Sequence, residues 1–301
     1  MNIPIHSRFS LLILLSSSIL WCGCHRKDGS RPDHPQIATG VVMQDVSFFS
    51  TALNRQMPYR VFLPAGIASG KKLPVVYLLH GNGGSFRDWS NDSDVSKYAA
   101  RGLILVMPEG GASYFMNAVE RPIDRYEDYL VFDLVRDIEA RFPARPDRES
   151  RAIVGVSMGV FAAIKLGLSR PDLFAFVAAI SPPIDVPERR FSWKRAGQWW
   201  EFREIFGPMA SSERQARDPF VLVQSAVPQT APYIYLTAGQ QEPLLEPNQR
   251  FAAGLRQHGL ASEFHTKAGG HDWREWDAQI PGCFESLFRN LRLSYDVGGN
   301  P

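Results

Sequence analysis

A serine set between glycines, in Gly155-Val156-Ser157-Met158-Gly159, is the part of this chain best suited to covalent chemistry. A neutral hydroxyl is a poor nucleophile at pH 7, so an attacking serine needs an exposed position and a neighbouring base. The GxSxG spacing supplies the first, because its small residues let a strand turn sharply into a helix with the serine at the apex. By itself the pattern is a weak signal, and the plain alternative is a serine in an ordinary tight turn. Its surroundings strengthen it. Arg151–Val156 leads in as a buried strand, continuously apolar over Ile153–Val156, and Val160–Leu168 leads out as an apolar helix.

Seven histidines could serve as the base. His6 falls in a signal-like segment, His25 and His34 in a polar tether, His258 at a helix end and His265 within a strand pattern. His80 and His271 remain. His271 stands in the glycine-flanked loop Gly269-Gly270-His271-Asp272-Trp273, after the last strand and before the final helix, where its imidazole is free to reach across the strand ends. A third group must orient that imidazole and stabilise the imidazolium. Glu242, just past the seventh strand, gives the chain order serine, acid, histidine. Asp185, just past the sixth, is the alternative, while Asp272 adjoins His271 too closely to orient its ring. His80-Gly81-Asn82-Gly83-Gly84 follows the third strand. The backbone N–H groups of Asn82 and Met158 are the candidate donors to a developing oxyanion. His80 is read as holding this loop.

These residues need a frame that presents strand ends. Eight runs rich in β-branched and aromatic residues fit strands: Val42–Phe48, Tyr59–Leu63, Pro74–Leu79, Leu103–Met107, Ala152–Val156, Phe176–Ile180, Tyr233–Thr237 and Ser262–Thr266. Helical spacing marks Arg125–Arg141, Val160–Leu168, Pro247–His258 and Phe284–Leu293. The first two strands lack an intervening helix and form an antiparallel edge. The later ones alternate with helices, as in a mostly parallel, doubly wound α/β sheet with helices on both faces. Ile184–Pro232 falls between strands six and seven as an insertion or partial lid. Its Trp193, Trp199, Trp200, Phe202, Phe206 and Phe220 are read either as core anchors or as a substrate wall.

The 33 basic and 31 acidic side chains nearly cancel, which leaves no electrostatic footprint for nucleic acid. His6 and Arg8, the apolar run Phe9–Trp21 and then Cys22-Gly23-Cys24 form a secretory signal pattern over residues 1–23. The apolar run is shorter than the ~20 residues of a spanning helix. Leu20-Trp21-Cys22-Gly23-Cys24 resembles a bacterial lipoprotein processing site, with Cys24 as the lipidated residue and the membrane as a partner through it. The alternative is a plain signal peptide, with Cys24 and Cys283 free to pair in an oxidising compartment. Residues 24–40 then read as a tether, and 41–295 as one catalytic domain of an exported protein.

Taken together, Tyr77-Leu78-Leu79-His80-Gly81, Tyr126-Glu127-Asp128-Tyr129, Arg151 to Gly159, Pro171-Asp172-Leu173-Phe174 and Gly270-His271-Asp272-Trp273 resemble one esterase family. It includes feruloyl and acetyl-xylan esterases, S-formylglutathione hydrolase, enterochelin esterase and the mycobacterial mycolyltransferases. The resemblance runs from about Val42 to Leu293 and implies an α/β-hydrolase fold. It implies the serine, acid and histidine at Ser157, Glu242 and His271, and the oxyanion amides at Asn82 and Met158. Two departures stand out: Val160 occupies a position where the family usually has a further glycine, and the acid is more often aspartate.

The resulting expectation is a serine esterase acting through an acyl-enzyme on a small or carbohydrate-linked ester, with Trp273 and Trp89 as substrate-binding aromatics. No cofactor is implied, since the sequence offers no zinc-type cluster, P-loop or dinucleotide fingerprint. Two other readings stand beside it: acyl transfer to a sugar or lipid hydroxyl, and a non-catalytic surface binding lipoprotein on the same fold.

Overall fold

Strands that are apolar at every position must be covered on both faces. Val75–Leu79 and Arg151–Val156 are buried throughout, and the sheet is built around them. The computed structural model describes residues 32–189 and 196–291. The chain divides into a unit Met1–Asp33, nearly all of it outside the described residues, and a unit His34–Pro301. The signal-like segment, Cys24, the first part of the tether up to residue 31 and Trp193 therefore lie outside the described residues.

The second unit carries eight strands: β1 (Val41–Ser50), β2 (Arg55–Pro64), β3 (Val75–Leu79), β4 (Ile104–Pro108), β5 (Arg151–Val156), β6 (Phe176–Ile180), β7 (Tyr233–Gly239) and β8 (Ser262–Lys267). They form one sheet in the order β1-β2-β4-β3-β5-β6-β7-β8. β1 pairs antiparallel with β2, and β2 with β4; the other neighbours are parallel. This is the mostly parallel eight-stranded sheet of an α/β-hydrolase fold, with every expected strand present.

Alternation along the strands divides the core between the two faces. Val75, Tyr77, Leu79 and Ile153 point toward the helix Met158–Ser169, whose Phe161, Ile164 and Leu168 join them. Val76, Leu78, Val154 and Ile180 point the other way, onto Ile280, Phe284 and Leu287 of the helix Trp273–Asn290. Among the described residues no helix is long and apolar enough to cross a membrane.

Two helices depart from expectation. The stretch expected as one helix over Arg125–Arg141 contains a π-helical segment, Tyr129–Leu134, between helical Tyr126–Asp128 and Val135–Arg141. The wider turn brings the consecutive residues Tyr129, Leu130 and Val131 all onto the buried side. The last helix starts at Trp273 rather than Phe284 and runs through Pro281. One lost backbone hydrogen bond is offset by the buried stripe Trp276, Ile280, Cys283, Phe284 and Leu287. Cys283 is a free, wholly buried thiol whose pKa burial pushes up. It serves as an apolar filler, and Cys24, its expected partner in the plain-signal reading, lies outside the described residues.

Between β6 and β7 the insertion folds as the helices Ala196–Phe206, Ser212–Gln215 and Pro219–Ser225. Phe202 and Phe206 pack edge-on against Tyr114, and Phe220 against Phe251. These aromatics are core anchors, whereas Trp200 stays exposed. Arg214, almost fully buried, donates to the carbonyls of Pro187 and Gly207 at 2.9 Å each and so ties the insertion together.

Candidate active site

The turn from β5 into the helix Met158–Ser169 leaves no room for side chains at its two glycines. A Cβ on Gly155 would lie 2.4 Å from the carbonyl carbon of Gly159, and one on Gly159 would lie 2.6 Å from the Cβ and carbonyl oxygen of Leu79. Ser157 sits between them at φ 48°, ψ −114°, a conformation that L residues rarely adopt. Its N–H donates to Ile180 O at 3.0 Å, which anchors the apex to the end of β6. The strain therefore has a visible counterweight: close helix–sheet packing on one side and a backbone hydrogen bond on the other.

From this apex Ser157 Oγ lies 2.8 Å from His271 Nε2, and His271 Nδ1 lies 3.0 Å from Glu242 Oε2. A carboxylate can only accept, so Nδ1 carries the proton and Nε2 is left to accept from the serine hydroxyl. The Glu242 side chain is fully buried, while that of His271 is 35% exposed. Glu242 is not left with an unsatisfied oxygen. Its Oε1 accepts from Ser181 Oγ at 2.5 Å and from the Gly239 N–H at 2.9 Å.

The loops that bring these groups together depend on close backbone approaches. Gln241 N–H donates to Gly269 O at 3.1 Å, which ties the acid loop to the histidine loop. Gly269 has φ +140°, and a Cβ there would lie 1.9 Å from Glu275 Oε2. Asp272 accepts from the Glu275 N–H as the N-cap of the last helix. Asp185 is taken by Arg189, at 2.7 and 3.0 Å. Of the two acids weighed from the sequence, Glu242 is the one brought to His271.

His80 shapes the opposite wall. Gly110 N–H donates to its Nε2 at 3.0 Å, so Nδ1 carries the proton and donates to Gly81 O at 2.8 Å. Gly84 N–H also donates to Gly81 O, closing a turn in which Gly83 has φ +74°. Because the peptide unit is planar and trans, fixing the Gly81 carbonyl turns the Asn82 N–H to the opposite side. Gly81 runs past Ser157: a Cβ there would lie 3.5 Å from Ser157 Cβ and 3.6 Å from the Trp276 ring. The Met158 N–H, at the first position of its helix, has no partner within that helix.

Glu109 lies behind this loop, its Oε1 3.6 Å from His80 Nε2. Burial pushes its pKa up, but the hydrogen bonds from the N–H groups of Gly111 and Phe86 help hold it below the ordinary glutamate value. Asp88, beneath Gly84, goes the other way: burial raises it, and the hydrogen bonds from Ser85 only partly offset that.

Aromatic rings line the histidine side. Trp273 is half-buried and meets both Trp89 and Trp276 edge-on, at 5.5 and 5.2 Å between centroids. Trp89, expected as a substrate-binding residue, is fully buried, so it supports Trp273 instead of offering a face of its own. Two residues of the site are not among the sequence candidates. Ser181 directly follows β6, as Ser157 follows β5 and His80 follows β3, and that position is the signal that could have found it. Trp276 stands one turn after Trp273 and is hidden by the unexpected early start of its helix.

Residues 50–287 match the model of the family described as "Putative esterase". An acetyl esterase of Caldicellulosiruptor saccharolyticus is 24% identical over 263 residues, covering 81% of this chain and 97% of that protein. Among solved structures, a fluorophosphonate-binding serine hydrolase of Staphylococcus aureus matches with a TM-score of 0.72 at 22% identity, covering 82% of this chain and 98% of that one. A ferulic acid esterase matches with a TM-score of 0.71 at 25% identity, covering 86% of this chain and all of that one.

Proposed function

Because this chain belongs to the "Putative esterase" family and is a carboxylic-ester hydrolase, we propose that it works through an acyl-enzyme on Ser157. The observation that carries this reading is the continuous relay from Ser157 Oγ through His271 to Glu242, at 2.8 and 3.0 Å. Both distances lie within the reach that proton transfer requires.

In the first half-reaction Ser157 Oγ attacks the ester carbonyl carbon while His271 Nε2 takes the hydroxyl proton. Glu242 Oε2 stabilises the imidazolium, and the N–H groups of Asn82 and Met158 are the donors to the tetrahedral oxyanion. Collapse breaks the bond to the alcohol oxygen, which leaves with the proton from His271. In the second half-reaction His271 deprotonates a water that attacks the acyl carbon. The acid is released, and the proton returns to Ser157.

Water as the acyl acceptor is supported by the partly exposed imidazole of His271, which leaves the base reachable from solvent. For the substrate we propose a carbohydrate-linked acyl or feruloyl ester, with half-buried Trp273 as the stacking surface. The acetyl and ferulic acid esterases among the similar proteins support that class. The signal pattern of residues 1–23 supports export, with Cys24 as the lipid attachment point.

A fluorophosphonate probe tests the nucleophile. Covalent labelling of the native protein and none of Ser157→Ala is the expected result; equal labelling of both overturns the assignment, and labelling of neither favours a binding protein. Turnover of p-nitrophenyl acetate, acetylated xylan and feruloyl sugars then ranks the substrates.

A further inference from the structure

Ser181 is a fully buried residue with φ +54°, in the left-handed region where a side chain other than glycine or asparagine is strained. Such strain persists only where the surroundings impose it, and both the N–H and the hydroxyl of Ser181 are tied to those surroundings. Its N–H donates to Thr237 O at 2.8 Å on β7. The preceding carbonyl, Ile180 O, accepts the N–H of Ser157. Its Oγ donates to Glu242 Oε1 at 2.5 Å. One dipeptide at the end of β6 thus joins the nucleophile's backbone to the acid's side chain.

We propose that Ser181 is a positioning residue for the reaction, its hydroxyl fixing the Glu242 carboxylate so that Oε2 stays aligned with His271 Nδ1. This rests on the reading of Glu242 as the acid that orients His271. The carboxylate is closed off from solvent, so protein donors must satisfy it. Oε1 has two of them, Ser181 Oγ–H and Gly239 N–H. The second approaches closely only because Gly239 lacks a side chain: a Cβ there would lie 2.8 Å from Oε1 and 2.4 Å from Gly269 O. With one donor left, the carboxylate is free to turn about its terminal bond. The loss is felt most when His271 becomes a cation, so it falls on kcat and not on KM.

Two substitutions separate positioning from folding. Ser181→Gly removes the hydroxyl and relieves the positive φ, while Ser181→Ala removes the hydroxyl and keeps the strain. With p-nitrophenyl acetate, both are expected to lower kcat about tenfold to a hundredfold, the worth of one hydrogen bond to a charged group. KM is expected to stay within about twofold, and Ser181→Gly to melt at or above the wild-type temperature. On a Glu242→Ala background, Ser181→Gly is expected to cause no further loss, because it acts through that carboxylate.

Wild-type kcat in Ser181→Gly, beside lost activity in Glu242→Ala, overturns this inference alone. So does an equal further loss on the Glu242→Ala background, or a fall in kcat matched by a fall in melting temperature in both single variants. Wild-type kcat in Glu242→Ala overturns the acid assignment and this inference with it.

Discussion

The indole of Trp276 meets the imidazole of His271 edge to face, with centroids 5.1 Å apart and ring planes at 88°. Glu242 fixes one nitrogen of that imidazole, but a single hydrogen bond still lets the ring swing about it. The indole closes off the swing on one side while its far rim rests near Gly81, so one side chain braces both His271 and the His80–Gly84 loop.

Trp276→Phe is expected to keep the fold and lower kcat several-fold with little change in KM. Trp276→Ala removes most of a side chain that is only 7% exposed. The usual cost of such a truncation is about 3–5 kcal/mol, or roughly 10 °C in a domain of this size. Steady-state kinetics and a melting curve check both. Wild-type kcat in Trp276→Ala would show that Glu242 holds the base unaided.

Glu242→Gln is expected to abolish most activity while leaving the fold nearly intact. Ser181 Oγ–H and Gly239 N–H both donate to Oε1, so the amide oxygen of a glutamine takes that place and its NH2 faces His271. Two donors cannot meet. The imidazole must move its proton from Nδ1 to Nε2, which then cannot accept from Ser157. The corresponding change in a serine protease triad lowers kcat about 10⁴-fold, and a loss on the order of 10³–10⁴ is expected here. A kcat within tenfold of wild type would contradict the relay.

Much of this site is legible in the sequence because it lies just beyond strand ends. Ser157, Glu242 and the His80–Gly84 loop each follow an apolar run, and in a doubly wound sheet all such ends converge on one edge. Ser181 occupies the same kind of position, yet a serine without flanking glycines gives no sign that its backbone is strained. Trp276 was obscured differently. Helical spacing marks only Phe284–Leu293, whereas tertiary packing carries the helix back through Pro281 and Gly282 to Trp273; a Cβ on Gly282 would sit 2.7 Å from the Tyr235 hydroxyl. Chain order favours Glu242 over Asp185, whereas the pairing of Asp185 with Arg189 depends on a turn that spacing alone does not specify.

Val160 illustrates a departure from the family pattern that the fold has absorbed. Its side chain is completely buried in the first turn of the helix that follows Ser157. Val160→Gly is therefore expected to destabilise the protein by about 2–4 kcal/mol, through a lost core side chain and the poor helix propensity of glycine. Urea unfolding measures this. That side chain takes no part in the Ser157–His271 hydrogen bond, so kcat is expected to change less than about threefold, an order-of-magnitude figure for a group outside the relay.

Acid sensitivity should pass through Glu109. Its carboxyl is held below the ordinary glutamate value of 4.5 despite burial, with the N–H groups of Gly111 and Phe86 donating to it. A group depressed in the folded state contributes stability that is fully present above its unfolded value and is lost as the pH falls through its folded one. Glu109→Gln is therefore expected to be less stable than wild type near pH 7, with the gap narrowing as the pH drops below 4.5. Asp88 works with the opposite sign, because its raised pKa favours the folded form at low pH, so Asp88→Asn should narrow no such gap. Melting temperatures of the three proteins between pH 7 and pH 3 decide it: a constant offset for Glu109→Gln would mean that this carboxylate supports the loop by shape and not by charge.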